Sequence, residues 1–574
     1  MRAQYPGSSR LSDEELTIFV SALAERFPPG TFIPLWANRF VKRWRDGRIH
    51  ADPNLRLPSR DPSEATVGPN IDITSSPTSV FSESFIAVDR SNPQRIIAGA
   101  NQISGDAQML FWSHDGGTTW TTELMALGGK SFHSDPGLAW DSRGDGYATA
   151  IGCDISDCEI QIVKTLDGGQ TWSGPDVVHA SPSNDKPLVA ANDQPGTMCQ
   201  DVVCVAWNDI IGVSMELHVA CSPGGNGPWA PNDLIIEQDQ LIGAVPAFGP
   251  DGELVVAWAN IRKQTIDFAR SDDCGQSFSM PLSIGTTLTS FDMGITPMCS
   301  RRALIYPAID VDRSSNPTTR GNMYAVWLDA EPGGNCPFSG CPASCVGDVV
   351  FSRSTDGGAS WSPQTIVHSN LPGVDQFNPW LAVNDSDGSV HVMWYDTRAD
   401  PSRDRTEVYY RTSIDGGMSW LSEERVSAGQ TDETASGADQ ANQYGDYNGL
   451  AAFQCSSYPI WTDRSAGRGE QIFTARVSDG AGAPPPDIVN TLRGVKNPVG
   501  DPDFTWDDVN SNEEDYSVYR GVEKDPVTFP PVRIGQSGGP DATFYTDMGT
   551  PTATGIWYYK IRASGPCGIE LSTW

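Results

Sequence analysis

One eight-residue phrase recurs along the chain. Residues 354–361 read STDGGASW, 113–120 SHDGGTTW, 165–172 TLDGGQTW and 413–420 SIDGGMSW. Residues 271–278, SDDCGQSF, are a close variant, and 222–229, SPGGNGPW, a worn copy without the aspartate. An aspartate followed by two glycines is turn chemistry. Its carboxylate can accept hydrogen bonds from the next backbone N–H groups, and glycine takes positive φ at little steric cost. The Ser or Thr before the last residue can add a hydroxyl hydrogen bond, and the closing aromatic is an apolar anchor. Strand-like residues flank each copy, such as Val408-Tyr409-Tyr410 before and Thr365-Ile366-Val367 after, so each reads as a hairpin corner. A corner repeated this often specifies a repeat architecture.

Around each corner lies a longer unit: a strand ending in an acidic turn, a second strand rich in Val, Ala and Trp, a polar loop, a third strand, the corner and a fourth strand. The first strands read FIAVD (85–89), GLAWD (137–141), PLVAAND (187–193), PAFGPDG (246–252), PAIDVD (307–312), WLAVND (380–385) and GLAAF (449–453). Second strands end in Trp207-Asn208-Asp209, Trp327-Leu328-Asp329, Trp394-Tyr395-Asp396 and Trp461-Thr462-Asp463. The seventh unit lacks an obvious fourth strand. The β-prone run 70–74, just before the first unit, would complete it and pair the exposed edge. An all-β, seven-bladed propeller is therefore expected, with six blades as the alternative. It spans 66–480, after an extension (1–65) with one helix candidate over 12–26. A Pro-rich linker (481–487) precedes a small β-sandwich (488–574). That last stretch resembles a fibronectin type III domain, with Trp506 in its core and Tyr558 or Tyr559 near the corner position.

Composition narrows the partners. The formal charge of −33 opposes nucleic acid, whose phosphates would be repelled, and no apolar run is long enough to span a bilayer. The 12 cysteines read as disulfides in an oxidising compartment, outside the cell or in a periplasm, because their spacings lack a paired metal-ligand pattern. Local bridges are expected at Cys153–Cys158 and Cys199–Cys204, and two among Cys299, Cys336, Cys341 and Cys345. Cys221–Cys274 would cross adjacent blades, and Cys455–Cys567 would pin the tail. No signal peptide is visible at Met1; the expectation is that one has been removed. No cofactor is called for, a structural calcium ion being left open, and a monomer is expected.

The corners resemble the Asp box, or BNR repeat, of sialidase-like propellers over roughly residues 70–477. The resemblance implies that the corners lie on the face away from substrate. Geometry agrees, since turns joining strands one to two and three to four share that face. Chemistry then belongs to the opposite face, which carries Glu83, His133, Asp135, Asp185, Lys186, Arg301, Arg302, Tyr306, Gln376, Asn378, Asp446 and Tyr447 ahead of first strands. Asp106, Asp209, Arg262, Asp329, Arg398, Asp463 and Arg464 follow second strands.

In GDYNGLAAF (445–453), Tyr447 stands where the family keeps its tyrosine nucleophile. In MWYDTR (393–398), Arg398 stands where it keeps an arginine that grips the sugar carboxylate. The implied enzyme is a secreted glycoside hydrolase. Tyr447 would be its nucleophile and Asp446 or Asp106 its acid/base, with Arg398, Arg464, Arg302, His133, Asp135, Lys186 and Gln376 binding substrate. A lyase variant would use His133 and Tyr447 as the proton-transfer pair. Glu83 stands where the family's first arginine should be, so a sugar other than a standard sialoside is expected. The alternative is a non-catalytic glycan-binding, adhesion or scaffold propeller. Mutually paired charges on the functional face would favour it.

Overall fold

The computed structural model describes residues 65–478, apart from 75–77, 126–127, 156, 212–213, 230–232, 290, 338–339 and 370, and the backbone of six strands between 493 and 564. Six four-stranded antiparallel sheets follow one another in chain order, each a simple up-and-down meander. The first strands of blades one to six are Phe81–Val88, Phe132–Trp140, Asn184–Ala191, Leu241–Phe248, Ala308–Val311 and Gln376–Val383. Blade seven contains Gly449–Phe453, Ser456–Asp463 and Gln471–Thr474, and its outer strand is Ile71–Asp72 from the front of the chain, with Ile71 opposite Thr474. Thr66–Val67 pairs in turn with Val477–Ser478. Both ends of the ring are thus tied into one sheet, and the edge that an unclosed blade would expose is covered.

The second strands carry the weight between blades. Trp207, Trp258, Trp327, Trp394 and Trp461 occupy them in blades three to seven and are fully buried. Truncating one such ring would cost about 3–5 kcal/mol. The Trp-x-Asp pattern has a direct reason in two blades: the Trp394 indole N–H donates to Asp396 and that of Trp461 to Asp463, each at 3.1 Å.

The repeated corners join strands three and four as expected. In residues 354–361, the Ser360 N–H donates to the Asp356 carboxylate at 2.8 Å, the Ser360 hydroxyl donates to its other oxygen, and the Gly358 N–H donates to Ser354 Oγ at 2.9 Å. Gly358 has φ +90° and lies against Phe268 of the preceding blade; a Cβ there would come within 2.3 Å of the ring. Gly117 in blade one meets Tyr458 of blade seven in the same way. The octapeptide is therefore an inter-blade joint.

The described disulfides are Cys153–Cys158, Cys199–Cys274, Cys204–Cys221, Cys299–Cys341 and Cys336–Cys345. The expected Cys199–Cys204 and Cys221–Cys274 bridges are corrected. Cys204 and Cys221 stand directly opposite in the ladder between strands two and three of blade three, 4.1 Å apart at Cα, so they join within that sheet. Cys199, in the turn before, then reaches the corner Cys274 of blade four. Cys455 is also disulfide-bonded; Cys567, its expected partner, lies outside the described residues, as do the helix candidate 12–26, the linker and Trp506. Five bridges fit an oxidising environment. Among the described residues no helix is long and apolar enough to cross a membrane. The tail strands form two three-stranded antiparallel sheets, Arg493–Lys496, Pro502–Thr505 and Phe544–Thr546 in one, Val532–Gln536, Asp515–Gly521 and Tyr558–Ser564 in the other.

First strands line a central channel holding a cavity of about 170 Å³, walled by Phe85, Leu138, Leu188, Val245, Trp380 and Leu450. At the corner-bearing end it is braced by charge. Arg90 pairs with Asp193 at 2.6 Å and with Asp385, and Arg313 lies 3.2 Å from Asp385, 3.7 Å from Asp193 and 3.9 Å from Asp310.

Candidate functional site

The other end of the channel is built from one backbone device used repeatedly. In blades one, two, three, four and six the ladder between strands one and two slips in register near the start of the first strand. At each slip one residue adopts positive φ: Glu83 (50°), Asp135 (63°), Lys186 (53°), Gly243 (81°) and Asn378 (44°). Gly445 (77°) does so just before blade seven. Non-glycine residues there cost about 1–3 kcal/mol each and persist only where their surroundings fix them. The bulges converge Glu83, Asp135 and Lys186 with Asp446 and Arg301 at the channel mouth.

These five groups pair with one another. The Lys186 ammonium sits 2.6 Å from Asp446 Oδ2. Arg301 donates through Nε to Asp446 Oδ1 at 2.8 Å and through Nη2 to Oδ2, and the same Nη2 lies 3.5 Å from Glu83 Oε1. The Asp446 N–H donates to Glu83 Oε1 at 3.0 Å, and Asn101 donates to Glu83 Oε2 at 2.9 Å. Glu83, Asp135, Lys186 and Asp446 are each 4% exposed; Arg301, one-third exposed at its side chain, is the member that reaches solvent.

Three acids against two cations in a buried place cannot all remain ionised at the usual pH. Burial, then the Asp446 and Asp135 carboxylates, raise the Glu83 pKa well above the carboxylate range. Burial also raises Asp135, which is in hydrogen-bonding contact with Glu83. Burial works against Asp446 too, but Lys186 and Arg301 outweigh it and hold that carboxyl at about 2. The cluster is therefore an ionised Asp446 gripped by two cations beside a carboxyl pair that retains a proton.

Beneath it lies an aromatic floor. The Tyr447 ring packs 5.7 Å from Tyr306, 6.1 Å from Trp380 and 6.3 Å from Phe85, with the Lys186 ammonium 5.9 Å above it. Tyr447 is 1% exposed, and its hydroxyl donates to the Pro136 carbonyl at 3.1 Å. Burial, then Asp135 and Glu83, raise its pKa well above that of a free phenol. This geometry keeps the phenol protonated and occupied.

The sequence-predicted residues separate into two groups. Tyr447, Asp446, Asp135 and Lys186 come together, with Glu83 and Arg301, neither of which was assigned a site role. Arg398 lies in blade six, bound to Asp396 and Glu423 and stacked 4.1 Å over Tyr409. Gln376 donates to the same Asp396 at 3.2 Å. Arg464 donates to the Asp432 carbonyl at 2.9 Å. Arg302 pairs with Asp292 at 3.0 Å and donates to the Gly340 and Pro337 carbonyls, stapling the long loop of blade five. His133 and Asp106 form a separate edge: the His133 N–H donates to the Asp106 carbonyl at 3.0 Å, Asp106 is exposed and His133 is half-buried. Phe132 beside them is 39% exposed, an aromatic facing solvent that the strand pattern did not single out. Among the described residues no group of three or more His, Cys, Asp or Glu could hold a metal ion.

No family model and no curated protein matches the sequence. Among solved structures, the chain is similar to a protein of unknown function from Dyadobacter fermentans, at 12% identity and TM-score 0.40, covering 72% of this chain and 99% of that one. It is also similar to the Hadza microbial sialidase Hz136, at 15% identity and TM-score 0.38, covering 55% and 63%. A third is the GH93 α-L-arabinofuranosidase of Fusarium graminearum in complex with arabinobiose, at 12% identity and TM-score 0.37, covering 60% and 92%. At these identities and scores none bears on the chemistry of the site.

Proposed function

We propose that this seven-bladed propeller binds carbohydrate at the rim of the channel mouth and does not hydrolyse it. One observation carries the second half of that reading: the Tyr447 hydroxyl is committed to the Pro136 carbonyl, within a cluster whose charges already satisfy one another. Cleavage through Tyr447 would require a buried phenol to lose its proton beside Asp135 and Glu83, the direction their charges oppose. The carbohydrate half rests on the resemblance of the repeated corners to Asp boxes and on the exposed edge formed by Phe132 and Asp106. An exposed aromatic face beside hydrogen-bonding groups suits the apolar face and the hydroxyls of a sugar ring.

The test is a glycan array probed with the full chain, followed by Phe132→Ala on whatever glycan is retained. Binding should weaken about tenfold or more, the loss of roughly 1.4 kcal/mol expected for one stacking contact. Unchanged binding would remove the rim site. A second reading, glycoside hydrolysis, draws on the split between Glu83, which keeps its proton, and Asp446, which does not; two carboxyls held in opposite states can divide acid and base roles. It requires turnover that Glu83→Gln abolishes.

A further inference from the structure

Outside that cluster, the described part of the chain contains a second buried carboxyl pair, Glu433 in the loop leading to blade seven and Glu470 just before that blade's third strand. Glu433 is 0% exposed and Glu470 1%. The outer oxygens are satisfied: Thr431 Oγ1 donates to Glu433 Oε1 and the Asp439 N–H to Glu470 Oε1, each at 2.8 Å. The remaining oxygens, Glu433 Oε2 and Glu470 Oε2, are buried and meet no donor, although the two carboxyl groups are within hydrogen-bonding reach of each other. Two carboxylates in such a place, with Arg464 the one nearby cation among the described residues, would repel and leave both Oε2 atoms unsatisfied.

We propose that Glu433 keeps a proton and donates it to Glu470, and that this O–H···O contact is a pH-sensitive latch fastening the loop 431–447 to blade seven. A calcium ion fits less well. It takes six to eight oxygens, whereas two inward oxygens are offered, and the Arg464 Nε already lies 3.7 Å from Glu470. The charged group facing the pair is Arg464, which lowers the Glu433 pKa without offsetting burial, and Tyr395 of blade six and Tyr444 of the loop itself also face Glu433.

The latched loop reaches the channel mouth. Gln443 donates to the Glu433 carbonyl at 3.1 Å and accepts from the Arg301 N–H at 3.0 Å. Asp446 follows three residues later, and the Glu470 carbonyl accepts from the Phe81 N–H where blade one begins. Losing the proton would set two buried anions against each other and loosen the loop that supports Arg301 and Asp446. The latch thus holds while Glu433 keeps its proton and loosens as pH rises through its raised folded-state value. This inference does not depend on the mouth binding sugar.

Hydrogen exchange of residues 431–447 in the full chain, from pH 6 to 10 and corrected for the intrinsic rate, tests it. In the native sequence, protection of this loop should fall at least tenfold as pH rises through the raised Glu433 value while the blade-three strands stay protected. Glu433→Gln and Glu470→Gln each place a permanent N–H donor between the groups and should flatten the fall. The sign in unfolding experiments is fixed as well. A folded-state pKa above the unfolded value near 4.5 means that the native state binds the extra proton, so its stability drops as pH rises through that window. The unfolding constant of the native sequence relative to Glu433→Gln should therefore rise about tenfold per pH unit there. No fall confined to this loop in the native sequence, an equal fall in both glutamine variants, or protection that calcium restores and a chelator removes would each overturn the latch.

Discussion

The two ends of the central channel are closed by the same numbers of charges arranged to different effect. The mouth has Glu83, Asp135 and Asp446 against Lys186 and Arg301; the corner-bearing end has Asp193, Asp310 and Asp385 against Arg90 and Arg313. Each has one acid more than its cations can balance. At the mouth the excess is taken up by the Glu83–Asp135 pair, which keeps a proton, and Asp446 is left ionised at about 2. At the other end the three acids share the two arginines, so burial carries Asp385 up to about 6 although Arg313 and Arg90 oppose it. An aspartate gripped by two cations is thus shifted down in one place and up in the other. What decides is whether a neighbouring acid takes up the excess.

The contrast is broken most forcefully at Asp446. Asp446→Ala would strand the buried Lys186 and take from Arg301 its main partner, and should cost about 3–5 kcal/mol in urea unfolding. A loss below about 1 kcal/mol would mean that water already reaches the cluster. The pH dependence is the next largest effect. Asp385 has a folded pKa above its unfolded value of 3.8, so its contribution is fully present below that value and fades as pH rises through 6. Between pH 4 and 6 the native chain should lose on the order of 1 kcal/mol per pH unit from this group. Asp385→Asn should remove that slope and, by matching two acids to two arginines, leave stability at pH 7 within about 1 kcal/mol of the original. A slope unchanged in Asp385→Asn would place the proton elsewhere. The smallest effect belongs to Tyr447→Phe, which gives up one hydrogen bond to a backbone carbonyl and should cost about 1 kcal/mol.

Much of the ring was legible because it is repeated. Six corners, seven first strands and the N-terminal run 70–74 each encode local geometry, and Ile71–Asp72 completes blade seven where an unpaired edge demanded it. The channel mouth was less legible because its device is a register slip, visible only once two strands are paired. A signal was nonetheless present. Asp135, Lys186 and Asn378 each precede a proline, and each such dipeptide opens an apolar first strand. Glu83, known from sequence only as a misplaced acid, becomes intelligible beside Asp135 and Asp446, partners 52 and 363 residues away. Arg398 showed the opposite difficulty. Its motif placed it after a second strand, but nothing in MWYDTR shows that Glu423, from a later part of the same blade, would join Asp396 in holding it. The cysteine pairing failed for a related reason, since short spacing is outranked by the direct opposition of Cys204 and Cys221 in the ladder.

We read the mouth as an ion-paired closure over a structural tyrosine. A panel of glycosides and oligosaccharides spanning neutral, amino and uronic sugars, incubated with the native chain and with Tyr447→Phe, tests it most directly through released reducing sugar and unsaturated product. No release above background is expected from either protein, with glycan binding equal in the two. Release by the native chain that disappears in a fully folded Tyr447→Phe would contradict it and make Tyr447 a catalytic residue.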